Sequence, residues 1–538
     1  MRGEFALLGL CSALAACGSG DDVAFDTSVA TLDPTPIRVL EGSGVVRVPL
    51  RLTSAPALPI TADYRLLADE AQDRCQIPDF SAASGRVVWA PGERATSIEV
   101  FIGDDSLAEI DERLKIALEF SSDSVPLGSA LLPLVIEDDD RSALLEASDY
   151  GLFPDTPGDQ SAALQAALDA AALSGRGVLR VAPGSYEVRS VAVSAGITLS
   201  ARGARFVRPK ASAADTITLA VNYAGDADSE PTLLEGLLLD GLRDEQGPFR
   251  DRELEDAHLV RFGAEPTRRG RLRGALEGLT FAAATGNGVL FGPNSDVSLC
   301  GIVGSDVFRD VVSLRGGNSR VSLRELDASS QDGTTGLWFD GTPRGYGETR
   351  FMDVEIDGAR LGSGDVEIEA FDGSVVSLRG VTMTRAPFRL ASPDGSVKIA
   401  DSVLQIGVPS ERYNFFNAPH DVEIEGSTLV ASERIDDADA ASEAARQLAI
   451  ASVRWLTLED GGVSQAGDPA RDDLAAGPHR LVFDRCRFAT AGDIEATDRV
   501  FAAANAAEEV EVVIRGSTLS AGISDWFAPG CVNCTLEP

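Results

Sequence analysis

Lysine, histidine and tryptophan are scarce in this sequence. Lys115, Lys210 and Lys398 are its only lysines, and three histidines and four tryptophans serve 538 residues. With 84 acidic residues against 47 basic ones the net charge is −37, which argues against nucleic acid or an anionic bilayer as partner. That balance suits a protein that binds cations or works in a saline, extracellular setting. Aromatic residues make up 6%, which weighs against a long cleft lined with sugar-stacking rings. Cysteine is sparse too: Cys75, Cys300 and Cys486 stand singly, so the fold is not built on disulfides. Cys531 and Cys534 in "PGCVNCTLEP" read as a small terminal staple, because a redox role needs a βαβ context and zinc needs a second ligand pair. Long apolar runs are missing apart from Phe5 to Ala16, which is too short to span a bilayer. What remains is a chain too long for a single core, so two or more domains are expected.

The start, "MRGEFALLGLCSALAACGSGDD", has the shape of a secretory signal over residues 1–16. Its "LAAC" resembles the bacterial lipoprotein signal, which implies lipidation of Cys17, a short tether over 17–27, and, from Gly18, an outer-membrane destination. The alternative is an ordinary export signal with an incidental cysteine. Either way the protein is expected to be exported, and membrane contact is expected through a lipid anchor only.

Residues 28–141 carry short alternating runs, among them "GVVRVPLRL", "TSIEVFIG", "RLKIALEF" and "ALLPLVIE". Period-2 alternation punctuated by Gly, Pro, Asp and Ser predicts an Ig-like antiparallel β-sandwich. The acids sit at the ends of these runs. "IGDDSLAEIDERLKI" packs five carboxylates into nine residues, Glu41 precedes one strand, Asp79 precedes another, and Asp138, Asp139 and Asp140 close the last. Neighbouring antiparallel strands share a pole, so these groups are expected to gather at one end, an arrangement that calls for a hard cation. A solvated acidic loop would explain "EDDD" alone, but not four acidic sites at matching strand ends. The segment resembles the Calx-β family of calcium-binding sandwiches in its "EGSG" opening, central "DF", "DDSLAEIDE" and closing "EDDD". The resemblance implies Ca²⁺ held by Glu41, Asp79, Asp104, Asp105, Glu109, Glu112, Asp138, Asp139 and Asp140, with the Leu107 carbonyl in register.

From 142 to 538 the pattern changes to a loose repeat, V-x-[LI]-x-x-x-x-[LM]. Copies start at Val321, Val354, Val376, Val397, Val422, Leu481 and Val512, and uninterrupted steps run 21 to 25 residues (376 to 397 to 422, 297 to 321). Short strands at that period cannot bury a face alone and predict a solenoid, here a parallel β-helix. Its entry holds a helix capped by Asp159, buried through Leu164 and Leu168 and stopped at Gly175. Asp149-Tyr150-Gly151, Asp155, Asp159 and Pro183-Gly184-Ser185-Tyr186 resemble the entry of pectate-lyase-like right-handed β-helices. The whole is therefore expected to be all-β, a sandwich followed by a β-helix with one capping helix.

That resemblance implies an extracellular polysaccharide as partner but names no reaction. The Asp pair, Gly-His-Gly and Arg-Ile-Lys of polygalacturonases are missing, and His258, His420 and His479 stand in none of those contexts. The densest polar stretch is "QDGTTGLWFDGTPRGYGETR". In it Asp332, Asp340 and Arg344 are candidate catalytic groups, and Trp338, Tyr346 and Arg350 candidate sugar contacts, against the reading of a solvated loop. A weaker candidate is "SERYNFFNAPH" with Tyr413, Phe415, Phe416 and His420, and "SDVFRD" sets Asp306 close to Asp310. Insertions at 241–273 and 430–478 would wall a groove or shield the coil from edge pairing. Two functions stay open: a polysaccharide lyase or glycoside hydrolase, and a non-catalytic calcium-dependent adhesin or surface-structural protein.

Overall fold

The computed structural model describes residues 35–68, 80, 84–121, 128–209, 219–223, 225–242, 257–263, 270–330, 335–340, 351–362, 365–369, 374–383, 388–391, 396–406, 416–417, 421–432, 479–491, 510–519 and 534–537. The first body is a sandwich of seven strands: β1 (Ile37–Leu40), β2 (Gly44–Arg51), β3 (Ile60–Ala68), β4 (Ser84–Trp89), β5 (Ala95–Ile102), β6 (Glu112–Ser121) and β7 (Gly128–Glu137). One sheet runs β1-β7-β6-β3-β4 and the other pairs β2 with β5. Alternate residues of both sheets meet in a core of Val48, Leu50, Trp89, Ile98, Val100, Ile116, Leu118 and Leu134.

One pairing departs from the antiparallel expectation: β1 runs parallel to β7, with Leu40 opposite Glu137. The consequence is that both strands finish at the same pole. Gly44, at the start of β2, faces Ile102 at the end of β5, and Glu112, at the start of β6, faces Ile136. Five strand ends therefore share the pole to which the acidic segments belong.

After β8 (Ala143–Glu146), helix α1 (Ser161–Leu173) covers the end of a parallel coil. Leu164, Ala167, Leu168 and Ala171 are its buried face. Asp159 stands one residue before the N-cap, Gln160, yet its carboxylate accepts the backbone N–H of Ser161 at 3.0 Å and so fills the capping role from one position upstream. Gly175, at φ +93°, follows the last turn as expected. The entry segment is fastened by Asp155, whose carboxylate accepts the Ser185 N–H at 3.0 Å.

The coil is a parallel β-helix built from two long sheets with all pairings parallel. Val297, Val321, Val354, Val376, Val397 and Val422 lie opposite one another on successive rungs, continuing through Leu481 to Val512. The six valines are each at most 4% exposed, so the repeat is the inward column of the coil. A second column marks the corner between two strands of each rung: Gly236, Gly278, Gly301, Gly358, Gly380, Gly426 and Gly516, with Glu325, Asp401 and Arg485 in the same role, all with φ between +49° and +76°. The chain must turn sharply there while both flanking strands stay paired, and left-handed backbone achieves it.

A Cβ on Gly380 would meet nothing closer than 3.6 Å, so Gly380→Ala isolates the backbone term and should cost about 1 kcal/mol. Glu325→Gly should shift stability the other way by less, because glycine's greater freedom in the unfolded chain offsets part of the gain. Urea midpoints moving in the same direction for both would contradict this account of the corner.

Candidate functional site

The acidic pole is drawn together by backbone geometry. Glu41 is 4% exposed, and its Oε1 accepts the Asp105 N–H at 3.1 Å. Gly42, at φ +70°, leaves room for the Asp104 carboxyl, which a Cβ would approach to 3.0 Å. Asp138 Oδ1 accepts the Glu109 N–H at 3.2 Å and its Oδ2 the Arg141 N–H at 3.0 Å, while Asp105 Oδ1 accepts the Leu107 N–H at 2.6 Å. Glu109 and Glu112 are buried; Asp139 is exposed. Burial pushes the Asp105 and Asp138 carboxyls above the usual range, with Asp140 and Asp104 adding to the effect at Asp105. Arg141 answers part of this charge through Asp111 at 2.5 Å and the Glu109 carbonyl at 2.9 Å. Asp79 lies outside the described residues, among which no three acidic, histidine or cysteine side chains converge closely enough to hold one ion. The donor set is nonetheless all hard oxygen, and Asp140 Oδ2 is buried with no hydrogen-bond partner. Those two facts fit a divalent cation of the calcium type.

The pole abuts the β-helix, and a groove of about 630 Å³ opens beside it, walled by Asp105 and Leu107 on one side and by Arg273, Asp296, Arg320 and Asp353 on the other. Those four β-helix residues alternate in sign at neighbouring register positions, and Arg320 lies 3.7 Å from Asp353. Their charges offset one another, and Asp105 and Glu355 leave the lining net acidic, which does not suit an acidic glycan.

The outer face of the smaller sheet is different. On four of its rungs one residue points away from the coil between two core residues: Arg261 between Val260 and Phe262, Leu290 between Val289 and Phe291, Ser313 (itself covered) between Val312 and Leu314, and Trp338 between Leu337 and Phe339. Register places the four side by side on successive rungs. The Arg315 guanidinium lies over the Trp338 ring, 4.7 Å from its centroid. His258 is 3% exposed, and its imidazole is driven down to about 3 by burial and then by Arg315, Arg309, Arg261 and Arg208. Its Nδ1 accepts the Asn287 N–H at 3.1 Å, and Asn287 Oδ1 accepts the Asp310 N–H at 3.2 Å. With the buried Asp310 carboxyl one rung on from Asn287, the buried polar atoms without a hydrogen-bond partner include Arg261 Nε, Asn287 Nδ2, Ser313 Oγ and Trp338 Nε1. Three of these can only donate and the hydroxyl can also do so.

Of the residues singled out from sequence, Trp338 falls on this face. Asp340 ends the same strand, opposite Arg315 and Glu369 in register. Asp332, Arg344, Tyr346, Arg350, Tyr413, Phe415 and His420 lie outside the described residues, as do Cys17 and the whole leader. Arg261, Asn287, Ser313 and Arg315 were not anticipated. Arg261 and Ser313 are each flanked by two core residues, a signal legible only once the rungs are aligned, while Asn287 precedes its strand and Arg315 ends one.

Residues 25–140 match the family model described as the Calx-beta domain. No curated protein matches the chain. Among solved structures, one titled CBD12 from CALX1.2 is 22% identical over 21% of this chain, which covers 46% of that chain, at a TM-score of 0.18. A family 28 exopolygalacturonase from Yersinia enterocolitica is 11% identical, covering 91% of this chain and 95% of its own, at a TM-score of 0.35. The A-module of a mannuronan C-5 epimerase from Azotobacter vinelandii is 13% identical, covering 70% and 99%, at 0.34. At these scores the likenesses carry no argument about chemistry.

Proposed function

We propose that this chain is an exported, lipid-anchored surface protein. Its sandwich binds calcium, and its β-helix binds an extracellular acidic polysaccharide on the Trp338 face. The observation that carries the glycan reading is the partly exposed Trp338 ring with the Arg315 guanidinium over it and Arg261 on the same outward row. A sugar ring presents C–H groups to an aromatic face, and a uronate or sulfated sugar brings acceptor oxygens to the Arg261 guanidinium beside it.

Binding without cleavage is the better reading of the described residues. The lone pair of His258 Nδ1 is taken by the Asn287 N–H, so Nε2 carries the ring's proton and the imidazole has no site left to accept another. It serves as one more donor and not as a base. A lyase or hydrolase reading rests on Asp332, Asp340 and Arg344. The test is retention of the mature protein on polyuronate, sulfated and neutral glycans, with reducing ends and unsaturated uronates measured in the same samples. Retention on acidic glycans without release is expected. Equal retention on neutral glycans would sink the reading, and release from any one of them would make the protein an enzyme.

At the pole, Glu41, Asp104, Asp105, Glu109, Glu112, Asp138 and Asp140 would hold the ion with Asp79 and Asp139. The ion would neutralise charge that is otherwise left to Arg141 and backbone donors. Calcium at 100 times its dissociation constant stabilises a folded state by about 2.7 kcal/mol. Chelation should therefore lower the melting temperature of the sandwich by several degrees, and an unchanged melt would count against calcium.

A further inference from the structure

Arg176 belongs to the β-helix, yet its guanidinium is bonded to the sandwich: Nη1 to Asp140 Oδ1 and Nη2 to the Ser106 carbonyl. Its backbone has little freedom to move away. Gly175 before it holds φ +93°, and a Cβ on Gly177 after it would lie 2.5 Å from the Ala171 carbonyl oxygen. The Arg176 carbonyl accepts the Ser142 N–H at 2.9 Å, which ties it to the strand that joins the two bodies. A second fastening lies close by, where Thr198 Oγ1 donates to the Ala108 carbonyl, with both residues almost fully buried. The acidic loop of the sandwich is thus pinned at Ser106 and Ala108 by two side chains of the other domain.

Asp140 is where this joint and the acidic pole meet. One carboxylate oxygen is held by Arg176, while the other, Oδ2, is buried with no hydrogen-bond partner. We infer that Arg176 is a positioning residue for cation binding: it fixes the Asp140 carboxylate so that Oδ2 stays available to an ion, and it thereby couples occupancy of the pole to docking of the sandwich on the β-helix. The inference rests on the reading that the pole binds calcium. Coupling of this kind is reciprocal, so the ion must tighten the joint as much as the joint tightens the ion. The competing effect is repulsion between the guanidinium and a divalent cation, which would make Arg176 an antagonist. The two oxygens of Asp140 decide between these, because Arg176 occupies one and leaves the other.

The test uses the full mature chain titrated with calcium by calorimetry, together with hydrogen exchange at the 104–109 amides. Arg176→Ala should weaken calcium binding about 5- to 20-fold and remove most of the calcium-induced protection of those amides. Arg176→Lys, which keeps the charge but loses the two-pronged contact, should fall between. Thr198→Val serves as the second variant and should shift affinity in the same direction by less. An unchanged melt of the β-helix in each variant confirms that folding is intact. Equal or tighter calcium binding by Arg176→Ala, with the wild type binding normally, overturns the inference and leaves the calcium reading standing. No uptake by the wild type overturns both.

Discussion

Trp338→Ala should lower affinity for an acidic polysaccharide about 10- to 100-fold. The ring supplies the stacking surface, and losing it also removes the partner over which Arg315 is held at 4.7 Å. Stacking and a desolvated cation–π contact together amount to about 2 kcal/mol, and each 1.4 kcal/mol is tenfold in affinity. Arg261→Ala should cost about as much, since a charge-assisted hydrogen bond is worth roughly 1.5–3 kcal/mol. It should also flatten the dependence of binding on salt. Ser313→Ala is the packing control on the same row. Its hydroxyl is fully buried and has no partner, and a buried polar group left unsatisfied costs about 1–3 kcal/mol. Removing it should raise the stability of the free protein and leave the affinity unchanged, because no ligand reaches a fully buried hydroxyl. Isothermal titration and thermal melts on the same samples read both effects. Binding by Trp338→Ala and Arg261→Ala within twofold of wild type would move the glycan site elsewhere.

How much of this was legible beforehand depended on the span over which each signal is written. The inward valines repeat at the rung period, and the corner residue follows each copy at a fixed offset, so the coil could be read from local text. The acidic pole was legible for a related reason: Asp104, Asp105, Glu109 and Asp138 to Asp140 all fall where alternating runs stop. The parallel course of β1 was not, because four residues, "IRVL", carry no mark of direction. The donor face was hidden further still. It takes one residue from each of several rungs, and Arg261, Asn287 and Ser313 are separated by the whole circuit of the coil. Trp338 stood out only because it falls in the densest polar stretch of the chain, among acids and arginines. Arg176 sits in "SGRGV", an ordinary helix exit by sequence, and its partners Asp140 and Ser106 belong to another domain.

A pH titration of stability should show two buried groups working against each other, and one substitution should separate them. Glu277 lies beside Glu235 in register, and Glu235 is already claimed by Arg202 at 2.6 Å. Burial, then Glu235, with Asp105 of the sandwich adding to them, pushes the Glu277 carboxyl up to about 7 from an ordinary 4.5. A raised carboxyl binds its proton more tightly in the folded state. Its contribution is complete below about pH 4.5 and is lost as pH rises through about 7. His258 has the opposite slope. It is held down to about 3 when folded and titrates near 6.5 when unfolded, so stability is lost as pH falls from about 6.5 toward 3. Between roughly pH 4.5 and 6.5 these two slopes oppose each other, and in the calcium-free protein the raised Asp105 and Asp138 carboxyls act in the same direction as Glu277. Glu277→Gln removes only the first. The variant's advantage over the wild type should open from about pH 4.5 and reach about 2 kcal/mol above pH 7, discounting for the partial exposure of Glu277. Below about pH 5 the two proteins should be nearly equal. Denaturant melts in chelator at several pH values measure this directly. A gap between Glu277→Gln and wild type that stays the same at acid and alkaline pH would mean that Glu277 ionises as an ordinary surface carboxylate, with no repulsion at the joint between the domains.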